Sequence, residues 1–394
     1  MKLPATLLLC CLVQIASLCA QNTSQKSATH RDKGTMVLTL GTDTTVIQSF
    51  EIRGDSIFSK ILLLPRGIQY VEGRGTFFPD GRLKSMTSTV SGLSPNGELV
   101  ENQQTTLRTS ADSTFISIKR GETVSHRSFA GHCWVTNSAD AASFHLFPYR
   151  GFYAPKTVGD TLVSQHVSGL GERKFNVSRT QKNTVTLGSS LMGYLTLTLD
   201  SKNRIQSVDG RGSSLNFTAK AYRKANFESL KAHFIQKELK AGVMPSLTTR
   251  DTVRFSQGDQ ELTINYWRPL ARGRKIFGEI VPMNRFWRLG ANNATELSTN
   301  QTLVFGDQKL PAGKYTLFVM PTEGAWTLMI NSKTGIWGTE YDAAADVLRL
   351  PLKVETLPKH VEQLTISLES LRDNRGSLSI AWETTKASLV FGVE

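Results

Sequence analysis

Hydrophobic and polar residues alternate along most of this chain, in short runs bounded by turn residues. In 194–199, for example, leucine occupies every second position and threonine stands between, so one face is apolar and the other polar. This pattern is typical of a half-buried β-strand. Turn sequences such as PDG at 79–81 and PNG at 95–97 favour tight hairpins. We therefore predict an antiparallel meander over residues 36–221, which curls around a core or closes into a partial barrel.

One segment has the periodicity of a helix instead. Phe227, Leu230 and Phe234 recur at three- and four-residue spacing, with charged residues between them. A glycine and a proline follow this segment, and both suit the end of a helix. We predict a helix over residues 222–241 and a linker over 242–250.

Residues 251–394 alternate again with a period of two. The predicted strands lie at 260–266, 301–306, 313–320, 325–331, 348–354, 364–369, 378–382 and 387–393. About eight short strands on this spacing favour a β-sandwich of two sheets. Pro351 lies on the outward side of its run, which predicts an edge strand. The predicted fold is thus mainly β, with an N-terminal antiparallel domain, one connecting helix and a C-terminal β-sandwich.

The first twenty residues have the pattern of an export signal. Lys2 precedes a short apolar run, and small or apolar residues come before polar Gln21. We expect residues 1–20 to be removed as a signal peptide, which makes the mature chain secreted or periplasmic. Residues 21–35 are polar and predict a flexible lead-in. No later run approaches about 18 apolar residues, so we expect no transmembrane segment after cleavage.

Signal cleavage would leave Cys133 as the only cysteine in the chain. An intrachain disulfide is then impossible, although an oxidising compartment would permit one. The apolar neighbours of Cys133 favour a buried, unreactive thiol.

The formal net charge of +13 is unevenly distributed. Nearly all of the excess lies in residues 21–242, whereas residues 243–394 are close to neutral. In an exported protein, a basic half favours an anionic envelope glycan or lipid over nucleic acid, because no nucleic-acid-binding motif accompanies it. Ordinary solubility charge accounts for the excess equally well.

Several motifs in the second half resemble a known family. They are YWRPLARGRKIFGEIVPMNRFWRLGANNAT at 266–295, LPAGKYTLFVMP at 310–321, WTLMINSKTGIWG at 326–338 and YDAAADVLRL at 341–350. Over about residues 253–393, the chain resembles the bacterial domain-of-unknown-function family 2911. The resemblance implies a β-rich module of exported bacterial proteins, and it implies no activity.

Six cations lie beside two tryptophans and a single acid between Asn265 and Thr295. Arginine offers a planar fork of donors that fits carboxylate or phosphate, and a tryptophan face can stack on a sugar. The candidate ligand-binding residues are Arg268, Arg272, Arg274, Lys275, Trp287 and Arg288. The alternative is that the arginines pair with carboxylates and hold irregular loops in place. Interleaved apolar residues and the near-neutral charge of this half favour that alternative.

Two other groups of residues have the chemistry of metal ligands. The carboxylates of the first group do not match a calcium loop, so capping of a helix start or pairing with cations is favoured. The second group lacks the close pairs that zinc sites usually show. The first group is Glu340, Asp342 and Asp346, and the second is His126, His132, Cys133 and His145. We expect no metal and no other cofactor.

The chain contains none of the common motifs of nucleophilic, metalloprotease or phosphate-binding sites. We therefore predict a non-catalytic binding or scaffold module for anionic or glycan ligands. Two alternatives stay open. One is an envelope hydrolase whose paired carboxylates lie about 5–9 Å apart between the domains. The other is a lipid or lipoprotein carrier, in which the first sheet shelters an acyl chain.

Overall fold

The structure is a computed structural model that describes residues 30–110, 112–131, 134–135, 152, 154–168, 171–189, 193–213, 216–243, 246 and 248–394. The predicted signal peptide, most of the predicted lead-in, His132, Cys133 and His145 lie outside the described residues.

The described part of the first domain contains fifteen strands in one sheet. They are β1 Arg31–Leu40, β2 Asp43–Arg53, β3 Ser56–Leu63, β4 Gln69–Phe77, β5 Leu83–Leu93, β6 Leu99–Thr109, β7 Ser113–Arg120, β8 Thr123–Ala130, β9 Trp134–Val135, β10 Thr161–Ser168, β11 Gly171–Gln181, β12 Thr184–Ser189, β13 Gly193–Leu199, β14 Ile205–Asp209 and β15 Thr218–Tyr222.

The order of these strands confirms the predicted meander. Strands β1 to β8 pair antiparallel in chain order, and β10 to β15 do the same. β1 joins β15, and β9 pairs in parallel with β10 at one end of the sheet. Gly81 and Gly97 adopt φ angles of 87° and 86° at the predicted hairpin turns, which glycine tolerates because it has no Cβ. The first strand begins at Arg31, so the predicted flexible lead-in to residue 35 is too long at its end.

The first sheet is open, and a different group of apolar side chains packs on each of its two faces. Side chains from both halves of the sheet, such as Ile57, Val71 and Leu197, fill one core on the inner face. The prediction of a mainly β chain with an antiparallel first domain is therefore confirmed, without closure into a barrel. The alternating leucines of β13 lie in this core, and each is at most 8% exposed.

The described residues contain one α-helix, α1 Phe227–Ala241, which packs on the outer face of the first sheet. The predicted apolar positions of the helix contact Ile47 and Leu62 of the sheet. Asn226 caps the helix by accepting a hydrogen bond from Ser229 N at 3.1 Å. The predicted start at residue 222 is five residues too early, because residues 218–222 belong to β15. No helix in the described ranges is long and apolar enough to cross a lipid bilayer.

The strands of the second half begin at Thr248, in the segment predicted as a linker. They are β16 Thr248–Gln257, β17 Gln260–Pro269, β18 Thr295–Thr299, β19 Leu303–Phe305, β20 Gln308–Leu310, β21 Gly313–Pro321, β22 Trp326–Asn331, β23 Asp346–Ser370 and β24 Arg375–Val393, with a short 3-10 helix at Ala343–Ala345.

These nine strands form a second antiparallel sheet that surrounds one core. The order is β16-β17-β18-β21-β22-β23-β24-β19-β20. The first part of β23 pairs with β22 and the rest pairs with β24, so this long strand carries the sheet around the core. Four of the strands predicted separately are thus segments of β23 and β24. Pro351 pairs with Thr327 of β22 in the part of β23 that precedes its first pair with β24, so this segment has a strand on one side only, as on the edge of a sheet.

Candidate ligand-binding sites

The outer face of the first sheet carries polar side chains in two parallel rows beyond α1. Each row crosses β1 to β6 and follows the strand register, so its members are direct neighbours on one face. The first row is Thr35, Ser49, Lys60, Glu72, Thr89 and Gln104, and the second is Lys33, Glu51, Phe58, Arg74, Thr87 and Thr106. Six strands at about 4.8 Å spacing extend over roughly 24 Å.

These rows form the floor of an open groove of about 1000 Å³. Residues 223–226, which lead into α1, form one wall of this groove. We call it the outer groove. Its lining is mainly hydroxyl, amide and charged groups, which distinguishes it from an apolar pocket for an acyl chain.

The charges of the outer groove are mostly positive. Lys33, Arg74 and Lys224 are exposed, and within the described ranges they form no ion pair. Lys60 instead lies 3.1 Å from Glu228 of α1 and 3.7 Å from Glu72. The hydrogen bond with Glu228 raises the pKa of Lys60, so this ammonium stays protonated and anchors the helix.

An exposed aromatic ring lies in the middle of the groove floor. Phe58 is 40% exposed, and the guanidinium of Arg74 lies 5.0 Å from the centre of its ring. Arg74 covers only part of the Phe58 ring, so the groove floor presents an apolar surface next to charged and hydroxyl groups. Sugar rings with acidic substituents have matching apolar faces, hydroxyls and negative charge.

A buried ion pair fixes one end of the groove wall. Arg223 Nη2 lies 3.2 Å from Asp32 Oδ2 and donates to Ile205 O at 2.8 Å. Burial raises the pKa of the Asp32 carboxyl, and the attraction of Arg223 opposes this shift. Arg223 is therefore committed to the fold, which leaves Lys33, Arg74 and Lys224 as the cations available to a ligand.

The six residues predicted to form one ligand-binding surface differ in their contacts and in their exposure to solvent. Arg268 is bound from three sides, because it donates to Leu364 O at 2.9 Å, to Thr365 Oγ1 at 3.0 Å and to Asp251 Oδ2 at 2.9 Å. This side chain joins β16, β17 and β23. Arg268 thus has the role of the alternative prediction, in which an arginine pairs with a carboxylate and holds segments of the fold together.

Arg272 links the two domains. Its side chain is 8% exposed and forms an ion pair with Asp43 at the start of β2. The backbone supports the same contact, since Thr42 N donates to Arg272 O at 3.2 Å. Within the second domain, Arg272 N donates to Glu362 Oε1 at 2.8 Å. Arg272 adopts a φ of 52°, an unusual conformation that these contacts hold in place.

Removing the charge of Asp43 tests this link. Asp43→Asn leaves the buried guanidinium without its counter-ion, so we expect the free energy of unfolding to fall by about 1–3 kcal/mol. A double-mutant cycle with Arg272→Met in urea unfolding measures the coupling between the two side chains. The exposed Asp307→Asn is the matched control and should change stability little. Additive effects of the two substitutions would contradict the link.

Arg274 and Lys275 differ in exposure. Arg274 donates to Ala271 O at 2.9 Å and to Leu270 O at 2.6 Å, and thereby closes the irregular loop after β17. Burial and the nearby Arg272 lower the pKa of Arg274. Lys275 is exposed. Among the six predicted residues, it is the one whose side chain is mainly in solvent.

Trp287 lies in the core of the second domain. It is 7% exposed, and its ring stacks on Trp382 with 5.9 Å between the centroids. Its backbone exchanges hydrogen bonds with Val319 at 2.7 and 2.8 Å. The next residue, Arg288, is also largely enclosed, and burial lowers its pKa to about 10. The two side chains therefore do not present a joint surface to solvent.

The acidic group has the structural role that the sequence favoured. Asp342 caps the short 3-10 helix by accepting from Ala344 N at 3.0 Å, and it pairs with Lys333 at 2.6 Å. Asp346 pairs with Arg349 at 2.8 Å and accepts from Tyr341 Oη at 2.6 Å. Across the described ranges, no three His, Cys, Asp or Glu side chains are grouped to hold a metal.

Sequence reasoning missed the outer groove. The signal in the sequence is the polar half of each alternating run in β1 to β6. The register that aligns these halves across six strands is set by hairpin geometry and cannot be read from a single strand.

Comparisons with known proteins support the family resemblance. Residues 248–391 match the family of proteins of unknown function DUF2911, as the motifs predicted. A search of curated proteins finds no match.

Two solved structures are distantly similar. The crystal structure of a DUF1089 family protein from Pseudomonas aeruginosa shares 9% identity with a TM-score of 0.28, over 42% of this chain and 89% of that one. An engineered GH43 glycoside hydrolase with endo-xylanase and exo-arabinofuranosidase activity shares 8% identity with a TM-score of 0.12, over 89% of this chain and 80% of that one.

Proposed function

We propose that this chain is an exported, non-catalytic binding protein of the cell envelope, whose first domain binds an anionic glycan along the outer groove. The observation that carries the proposal is the groove itself, about 1000 Å³ in volume and lined by hydroxyls and cations over six strands. The pattern of residues 1–20 supports export.

The groove suits an extended chain better than a compact molecule. Its floor crosses six strands over roughly 24 Å, and polar groups are repeated on each strand. Hydroxyl and amide groups can exchange hydrogen bonds with sugar hydroxyls at each step. Lys33, Arg74 and Lys224 then attract the acidic substituents, and such attraction raises the association rate as well as the affinity.

The same geometry disfavours an acyl chain in the first domain. The inward leucines of β13 are packed in the core with residues of the other half of the sheet. Most side chains that line the outer groove, by contrast, are polar or charged, and the apolar ones are Phe50, Phe58 and Ala225. An acyl chain in this groove would leave its hydroxyls and charges without partners, which costs free energy.

Neutralising the three available cations tests the proposal. We expect the triple variant Lys33→Gln, Arg74→Gln and Lys224→Gln to bind polygalacturonate on the order of tenfold more weakly than the unchanged protein, because three exposed charge contacts are lost. Affinity electrophoresis at low and at high salt measures the change. The affinity of the unchanged protein should fall with salt, and that of the variant should depend less on salt.

A control variant separates location from net charge. Lys182→Gln, Lys202→Gln and Lys314→Gln remove the same charge from exposed positions outside the groove. This control should bind polygalacturonate like the unchanged protein. Equal losses in both variants would show that net charge alone attracts the polymer. Binding to vesicles with anionic phospholipid, with none to polygalacturonate, would also refute the glycan proposal.

A further inference from the structure

The second domain partly encloses the guanidinium of Arg288, which forms no ion pair among the described residues. Arg288 Nη1 is buried and has no hydrogen-bond partner, although residues 248–394 are described throughout. No carboxylate lies within ion-pair distance of Arg288 in the described ranges, and burial is the cause of its lowered pKa. A buried, unpaired cation is expensive, so such a group calls for a balancing partner.

Two further buried donors belong to the same part of the fold. Trp337 Nε1 and Thr339 Oγ1 are both buried without a hydrogen-bond partner in the described ranges. They flank Gly338, whose backbone packs directly on the Arg288 side chain. A Cβ at Gly338 would lie 2.8 Å from Arg288 Cβ and 2.7 Å from Asn292 O. Only glycine permits this approach.

The backbone around Arg288 is held in uncommon conformations. Leu289 and Asn292 have φ angles of 50° and 56°. Asparagine tolerates this region, but leucine rarely enters it. Hydrogen bonds fix the arrangement, because Thr295 Oγ1 donates to Leu289 O at 2.7 Å and Gly338 N donates to Asn292 O at 3.0 Å. Strained backbone of this kind concentrates at binding sites.

We propose that Arg288, Trp337 and Thr339 bind one compact anion in the second domain, either an inorganic ion such as chloride or the carboxylate of a small ligand. An anion supplies both the negative charge and the acceptor that these groups lack. A water molecule would satisfy hydrogen bonds without balancing the charge. The proposal is independent of the outer groove, which lies in the other domain.

Chloride binding can be measured directly on the full chain. Exchange of chloride with a protein site broadens the chlorine-35 NMR line. We expect this broadening with the unchanged protein. The other anion in the buffer is a bulky sulfonate, so that no second compact anion is present. Arg288→Met should remove the broadening. Arg285→Met, which removes an exposed cation three residues earlier, should leave it unchanged.

Acetate distinguishes the two sources of the anion. Displacement of chloride by acetate supports a ligand carboxylate, and no displacement supports an inorganic ion alone. Trp337→Phe and Thr339→Val retain the guanidinium, and each should weaken chloride binding about threefold to tenfold through loss of one hydrogen bond. These two variants test the site if Arg288→Met does not fold. Broadening that is absent from the unchanged protein, or equal in all variants, would overturn the proposal.

Discussion

Trp287→Ala is expected to lower the free energy of unfolding of the second domain by about 3–5 kcal/mol, the usual cost of removing a buried aromatic ring. The ring of Trp287 is stacked on Trp382 and meets the edge of Phe277 at 6.0 Å. Its removal would leave a cavity beside the rings of Trp382 and Phe277, which the paired backbone of Val319 cannot fill.

Differential scanning calorimetry of the full chain measures this effect on the second domain. Val390→Ala is the control, because Val390 is 50% exposed and its truncation should cost less than about 0.5 kcal/mol. The experiment also separates two interpretations of the sequence. A tryptophan that stacks on a ligand would affect binding and leave stability unchanged, and that result would contradict the core position.

Gly338→Ala is expected to destabilise the second domain by about 3 kcal/mol, at the upper end of the usual cost of overpacking. The added methyl group would collide with the Arg288 side chain and with the backbone oxygen of Asn292. The side chain of Arg288 could move away, but the backbone oxygen is fixed by its hydrogen bond from Gly338 N at 3.0 Å.

Urea unfolding followed by circular dichroism gives the change in stability. Gly392→Ala is the matched control, because its Cβ would meet no atom closer than 3.7 Å. We expect that control to keep nearly the full stability. If Gly338→Ala is tolerated equally well, the packing of this turn on Arg288 is looser than the structure shows.

Much of the fold followed from local patterns. The alternation in β13 and the turns before Gly81 and Gly97 predicted strands and hairpins that the structure confirms. The spacing of Phe227, Leu230 and Phe234 likewise predicted the face of α1 that meets the sheet. Strand and helix periods are properties of neighbouring residues, so a single sequence contains them.

The lengths of elements were harder to predict than their type. The runs at 348–354 and 364–369 are separated by a mainly polar segment that contains Pro358, so they predict two separate strands. The structure joins them in β23, where irregular pairing between Thr356 and Thr365 absorbs the interruption. Bulges of this kind depend on the partner strand, which the local pattern does not identify.

The roles of the cations depended on distant partners. Arg268 pairs with Asp251, and Arg272 pairs with Asp43, more than two hundred residues away. In the sequence, these arginines differ little from exposed Lys275. The distinction between a structural and a ligand-binding cation is therefore one of three-dimensional position, because the fork of arginine serves both uses.

The sequence by itself determined a mainly β chain with a basic first half, one amphipathic helix and a family resemblance in its second half. Those properties depend on residue type and on the spacing of near neighbours. Only the tertiary structure aligned polar residues of six strands into one groove and packed Gly338, which lies between Trp337 and Thr339 in the chain, against the Arg288 side chain. Register and long-range packing place groups that are far apart in the chain next to each other, and no local pattern encodes that proximity.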